Sequence, residues 1–165
     1  MQCPRLIRGF FACLLPALAV LALAVLLAGP EAAPDLELAD LSDGAREWFG
    51  RGALHRVLGQ EMFVVTEGAG PETVILVHGF PASSYDYHRA VSHLLAGDRG
   101  YRLVLFDLVG YGFSSKPAAS FTYSMPDQAE QCLQLWRQLG IARAHVVGHD
   151  MGDSVLTEIL SRRER

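Results

Sequence analysis

The chain has 165 residues, half of them hydrophobic and 19% charged, with a formal net charge of −4. That length holds one domain and a leader, and the apolar half is enough to bury a core. A mildly acidic balance with no basic cluster in the soluble part argues against nucleic acid as a partner, and Cys3, Cys13 and Cys132 define no disulfide framework.

Residues 1–29 read as a membrane anchor or signal segment. Residues 10–29 carry no charge and follow Arg5 and Arg8. A helix of that length, at ~1.5 Å per residue, matches a ~30 Å hydrocarbon core. A secretory signal has a shorter apolar run of ~7–15 residues, and Pro30 hinders cutting after Gly29, so an uncleaved anchor is favoured over cleavage and secretion. Pro16 is tolerable within a bilayer helix. Because Arg5 and Arg8 precede the span while Glu31, Asp35, Glu37 and Asp40 follow it, the N-terminus is expected in the cytoplasm. The remainder then faces the lumen of the endoplasmic reticulum or secretory pathway. Residues 30–43, acidic and holding Pro30 and Pro34, read as a linker. Residues 44–165 form the domain proper.

Within that domain, residues 45–50 (AREWFG) and 60–66 lead into a sheet whose first strand is Met62-Phe63-Val64-Val65. Residues 73–77 make the next strand and end in His78-Gly79-Phe80-Pro81. A helix is expected over 83–96, with Tyr87, Val91, Leu94 and Leu95 near one face. Tyr85, Asp86 and Tyr87 are expected at the helix surface or facing a cap. Residues 101–107 (YRLVLFD) form an apolar strand, and 108–114 a turn punctuated by glycine. A helix over 127–139 carries the apolar stripe Ala129, Cys132, Leu133, Leu135, Trp136 and Leu139, which reads as core packing. The last strand covers 144–147 and precedes a further helix. Strands alternating with helices predict an α/β fold with a mostly parallel sheet and right-handed crossovers.

Gly148-His149-Asp150-Met151-Gly152, between the last strand and helix, has the spacing of the nucleophile elbow, where small residues flank a side chain forced onto a sharp turn. A carboxylate there, with a reference pKa near ~3.9, is ionised at neutral pH and attacks without a base. Attack leaves an ester that water must clear, which requires a histidine base. The oxyanion then formed on the aspartate carboxyl needs backbone donors, and the Met151 N–H and Phe80 N–H are the candidates. The plainer reading of Asp150 is a helix N-cap. His149 and His78 read as turn residues, with the His78 ring bonded to backbone. Asp107 reads as a strand-end residue binding turn amides, and Asp153 as a partner of the helix dipole.

Together HGFP, DLVGYGFSSKP and GHDMGD resemble the α/β-hydrolase superfamily in its epoxide hydrolase and haloalkane dehalogenase branch, over residues 63–165. The resemblance implies Asp150 as nucleophile, Phe80 and Met151 as oxyanion-hole donors, a small hydrophobic epoxide or ester as substrate, and neither cofactor nor metal. Dehalogenases of this branch place Trp and Asn where this chain has Met151 and Phe80. Halide stabilisation therefore loses its side-chain N–H donors. Epoxide hydrolysis fits better, its leaving oxygen being protonated by tyrosines that the resemblance puts in a cap domain. The acid and histidine are expected after Asp150 in chain order, and residues 151–165 hold no histidine. The expectation is thus an incomplete hydrolase domain lacking cap, acid and histidine, inactive by itself, with an unpaired apolar edge at its last strand. The alternative is a non-catalytic, membrane-anchored binding or scaffold protein.

Overall fold

A computed structural model describes residues 40–97 and 100–162, which lie within the structural unit Glu37–Arg165. The proposed membrane segment and most of the acidic linker fall outside the described residues. Among those described, no helix is long and apolar enough to cross a membrane.

The chain enters through helix α1 (Asp43–Gly50), started by Ser42, whose side chain accepts the Ala45 N–H. Strands β1 (Gly52–Val57), β2 (Gln60–Glu67) and β3 (Glu72–Val77) follow. A single 3-10 turn (Ser84–Tyr87) then runs into α2 (His88–Ala96). Strand β4 (Tyr101–Phe106), helix α3 (Met125–Gln138), strand β5 (His145–Gly148) and helix α4 (Met151–Ser161) complete the order.

The five strands form one sheet in the order β1-β2-β4-β3-β5. Its β4, β3 and β5 part is parallel, as alternation with helices demands. The β1–β2 and β2–β4 pairs are antiparallel, so β2 alone runs against the other four strands and the sheet, though mixed, is mostly parallel as expected. Local chemistry gives the reason: Leu58 and Gly59 both have positive φ, of 45° and 86°, which makes a two-residue hairpin between Val57 and Gln60. Strand β1, and not the Met62 to Val65 run, is therefore the first strand. Its sequence GALHRV buries only Val57, so an edge strand exposing Leu54 offers little apolar alternation to read.

Alternation along the strands sends neighbouring side chains to opposite faces, and each face has its own core. Val64, Ile75, Val77, Val104 and Phe106 pack with Cys132 and Leu135 of α3 and Val155, Leu156 and Ile159 of α4. Phe63, Val65, Val74, Leu76, Leu103 and Leu105 pack with Trp48 of α1 and Val91 of α2. The result is a three-layer arrangement with the sheet in the middle.

Two predicted helices change at their starts. The first is interrupted, since Ser83 caps the 3-10 turn before α2 begins at His88. Tyr85 and Tyr87 accordingly do not project from a helix surface. Tyr85 stacks on His88 with ring centroids 4.4 Å apart and meets Trp48 edge-on, while the Tyr87 hydroxyl donates to the Val77 carbonyl at 3.0 Å. Asp86 alone of the three is exposed. Helix α3 begins two residues before the predicted start at 127, because Ser124 accepts the Asp127 N–H and Pro126 sits in the first turn.

Candidate active site

Strands β3 and β5 lie side by side and end together, with Val77 opposite Gly148. The chain leaving β5 stays tied to β3, since the His149 N–H donates to the Val77 carbonyl at 3.2 Å. It then turns sharply, with the Gly152 N–H donating to the His149 carbonyl at 2.9 Å. Gly152 is required here by close approach. A Cβ at that position would collide with the Val77 carbonyl and lie 2.7 Å from the His78 carbonyl, both rigid backbone. Asp150 sits at the apex with φ 52° and ψ −117°, a conformation that L residues avoid and that surrounding structure must enforce.

Although Asp150 occupies the N-cap position of α4, its side chain makes no capping bond there. The N-cap reading thus gives way to a different partner. The Asp150 Oδ1 accepts the Phe80 N–H at 2.9 Å. That amide, followed by the Met151 N–H, holds the exposed carboxyl below the usual carboxylate range, and His149 adds a smaller pull in the same direction. The residues marked in the sequence as nucleophile and donors therefore meet at one point.

The loop carrying Phe80 is fixed from beneath. Gly79 is buried against the elbow, where a Cβ would stand 2.7 Å from the Asp150 Cβ and 2.9 Å from the His149 carbonyl oxygen. Buried His78 accepts the Leu108 N–H on Nε2 at 3.0 Å, so Nδ1 carries the proton and donates to the Gly79 carbonyl at 2.9 Å. Desolvation lowers its pKa, against the opposing pull of the Gly79 carbonyl, Asp107 and Asp86. The ring joins the loop after β3 to the loop after β4, as its expected turn role requires.

Asp107 organises that second loop. Its Oδ1 accepts the Ser84 N–H and its Oδ2 the Phe113 N–H, each at 2.7 Å, and its carbonyl accepts the Ser114 hydroxyl at 2.6 Å. Lys116 donates to the Gly112 and Ser114 carbonyls. Burial lowers the Lys116 pKa, and Asp107 offsets part of the effect. Tyr111, at the tip of this loop, was not marked by the sequence reading. Its ring meets those of His78 and Phe80 edge-on, and its hydroxyl reaches the Met151 Sδ at 3.6 Å. An aromatic between two glycines in GYG was the available signal.

The other histidines are dispersed. His55 lies on β1, His88 and His93 on α2, and His145 starts β5 with its Nε2 3.8 Å from a Glu72 carboxylate oxygen. Among the described residues no histidine ring is hydrogen-bonded to Asp150, and no group of side chains could hold a metal ion.

The family model described as the alpha/beta hydrolase fold matches residues 72–161, from the start of β3 to the end of α4. The chain belongs to the α/β-hydrolase fold family. The mesoderm-specific transcript homolog protein of Homo sapiens is 36% identical over 127 residues, covering 74% of this chain and 37% of that protein. A fluoroacetate dehalogenase of Burkholderia sp is 43% identical over 91 residues, covering 53% of this chain and 29% of that enzyme. Among solved structures, an epoxide hydrolase from Vigna radiata superposes with a TM-score of 0.62 at 30% identity, covering 68% of this chain and 36% of that one. The chain thus spans about 29–37% of the length of these relatives. Within that span the chain is similar to epoxide hydrolases and dehalogenases, the likeness that its three loop motifs implied.

Proposed function

We propose that Asp150 is the nucleophile of a hydrolase that opens small hydrophobic epoxides through an ester intermediate. Asp150 supports the reading directly: its carboxylate is exposed, kept ionised and lodged on an enforced backbone turn, with Oδ1 already on the Phe80 amide. A carboxylate needs no deprotonation at neutral pH, so its Oδ2 attacks a ring carbon. The carbon–oxygen bond breaks, and the ring oxygen, leaving as an alkoxide, takes a proton from water. In the second half of the cycle water adds to the ester carbonyl while a base takes its proton. Oδ1 becomes the oxyanion between the Phe80 and Met151 amides; collapse breaks the ester bond to the alcohol oxygen, the protonated base returns its proton to that oxygen, and the diol leaves as the carboxyl is restored. We assign the base to none of the described histidines, since none has its ring hydrogen-bonded to Asp150 and His78, the buried one beside the site, has both ring nitrogens committed to backbone.

Likeness to an epoxide hydrolase and to a fluoroacetate dehalogenase supports an electrophilic carbon as the target. The epoxide is favoured over the halide because neither the Phe80 nor the Met151 side chain offers an N–H to a departing halide ion. Styrene oxide tests the reading. The full chain is expected to gain one covalent adduct by intact mass, and Asp150→Asn to gain none. Equal labelling of both proteins would overturn the assignment, and adduct formation from an alkyl halide but not from the epoxide would favour dehalogenation.

The uncharged stretch at residues 10–29 supports a membrane-anchored protein whose hydrolase part is luminal. Protection from protease in sealed microsomes, together with resistance to alkaline extraction, is the expected result. Release by alkali would point to cleavage and secretion instead.

A further inference from the structure

Phe80 and Met151 reach Asp150 from different parts of the chain, one on the loop after β3 and the other at the first position of α4. Phe80 is 66% exposed, so burial of its own side chain does little to hold its amide in place. Tyr111 comes from a third segment, the loop after β4, and touches both. Its ring stands perpendicular to that of Phe80, with centroids 6.2 Å apart, and meets the His78 ring at 5.5 Å. Its hydroxyl reaches the Met151 Sδ at 3.6 Å, a weak but directional contact for a thioether. The Tyr111 backbone is itself anchored, since its N–H donates to the Leu108 carbonyl at 3.0 Å, beside the amide that His78 accepts.

We propose that Tyr111 is a positioning residue that ties the two amide donors to one geometry, acting through the Phe80 ring and the Met151 sulfur. This role rests on the reading of those amides as the oxyanion hole. The backbones of the two segments are tied by the His149 N–H bond to the Val77 carbonyl and by the close approaches at Gly79 and Gly152, but the side chains of Phe80 and Met151 are joined through Tyr111. Tyr111 supplies a link that does not change as the ester forms. A residue that merely filled space would have no need to aim its hydroxyl at Met151.

Titration of the Asp150 carboxyl by carbon NMR in the substrate-free full chain tests this. The two amides and His149 all hold that carboxyl low, against desolvation, and of these the Tyr111 contacts reach the two residues that carry the amides. Tyr111→Phe keeps the ring and loses the sulfur contact. It is expected to raise the Asp150 midpoint, because a carboxylate loses part of its stabilisation when a donor moves away. Met151→Leu should produce the same rise, and the double variant no more than either alone, the mark of one shared interaction. Tyr111→Leu should raise the midpoint further. An unchanged midpoint in Tyr111→Phe, or additive rises in the double variant, would overturn the proposal. The Tyr111→Phe result decides even if Tyr111→Leu does not fold. No substrate is present, so failure here leaves the ester reading intact, and failure of styrene oxide labelling leaves this titration unaffected.

Discussion

At the scale of single residues, Asp150 combines a reactive group with an unfavourable backbone. Its φ of 52° suits glycine better than aspartate, so Asp150→Gly is expected to raise Tm by several degrees while abolishing labelling by styrene oxide. A fall in Tm would show that the turn is not strained. Asp107 works the other way. It is fully buried and satisfies the Ser84 and Phe113 amides. Removing both acceptors in Asp107→Ala should cost about 2–6 kcal/mol by urea unfolding, at ~1–3 kcal/mol for each stranded amide. His78 sets a pH dependence. Its folded pKa lies below the ordinary value, so the unfolded chain binds the proton more readily. Its contribution to stability is therefore present above the ordinary histidine range near ~6.5 and lost as pH falls through it, by up to ~1.4 kcal/mol per pH unit. Urea unfolding at a series of pH values should show a shallower loss between ~7 and ~6 in His78→Asn than in the wild type. Equal slopes would remove His78 from the account. Asp150, Phe80 and Met151 were legible as residues because spacing alone marks an elbow and its neighbouring loop. Tyr111 and Ser84 were not, since their roles arise only when three loops converge.

At the scale of elements, the elbow depends on how closely α4 begins behind β3. Gly152→Ala would drive a methyl group against the Val77 and His78 carbonyls, which cannot rotate away. A loss of about 1–3 kcal/mol is expected, with labelling at Asp150 reduced in the fraction that remains folded. Unchanged stability would mean that the helix start can shift, which the proposed geometry does not allow. The apolar strands β3 and β4 could be read directly, being uniform buried runs between turn signals. Strand β1 could not, because an edge strand with one buried residue carries no periodic signal. The start of α2 was misplaced for a related reason: Ser83 and Ser84 serve a short 3-10 turn whose tyrosines look amphipathic in one dimension but pack against Trp48, His88 and the end of β3.

At the scale of the whole molecule, the sheet is covered on both faces but not along β5. His145, Val146 and Val147 are exposed, and among the described residues no strand lies beyond them. Ile75, Trp136, Val146, Leu156 and Ile159 border an open groove of about 150 Å³ beside that edge. Val147→Lys should change stability by less than ~0.5 kcal/mol, because the side chain is half exposed. It should also lower concentration-dependent association in sedimentation experiments, since a charged side chain disfavours edge pairing. Association unaffected by the change would place the sticky surface elsewhere. The reversal of β2 is invisible in the alternation of strands and helices, which reports only the parallel strands, because the turn into it rests on two positive-φ residues, Leu58 and Gly59.

Asp150 as an ester-forming nucleophile is the central claim, and the chemistry of the bond it forms is the most direct test. After exposure to styrene oxide, the full chain should yield one modified peptide containing Asp150, and hydroxylamine should remove the modification, as it cleaves esters. A modification that survives hydroxylamine and maps to His149, Cys132 or another side chain would be simple alkylation and would contradict the account.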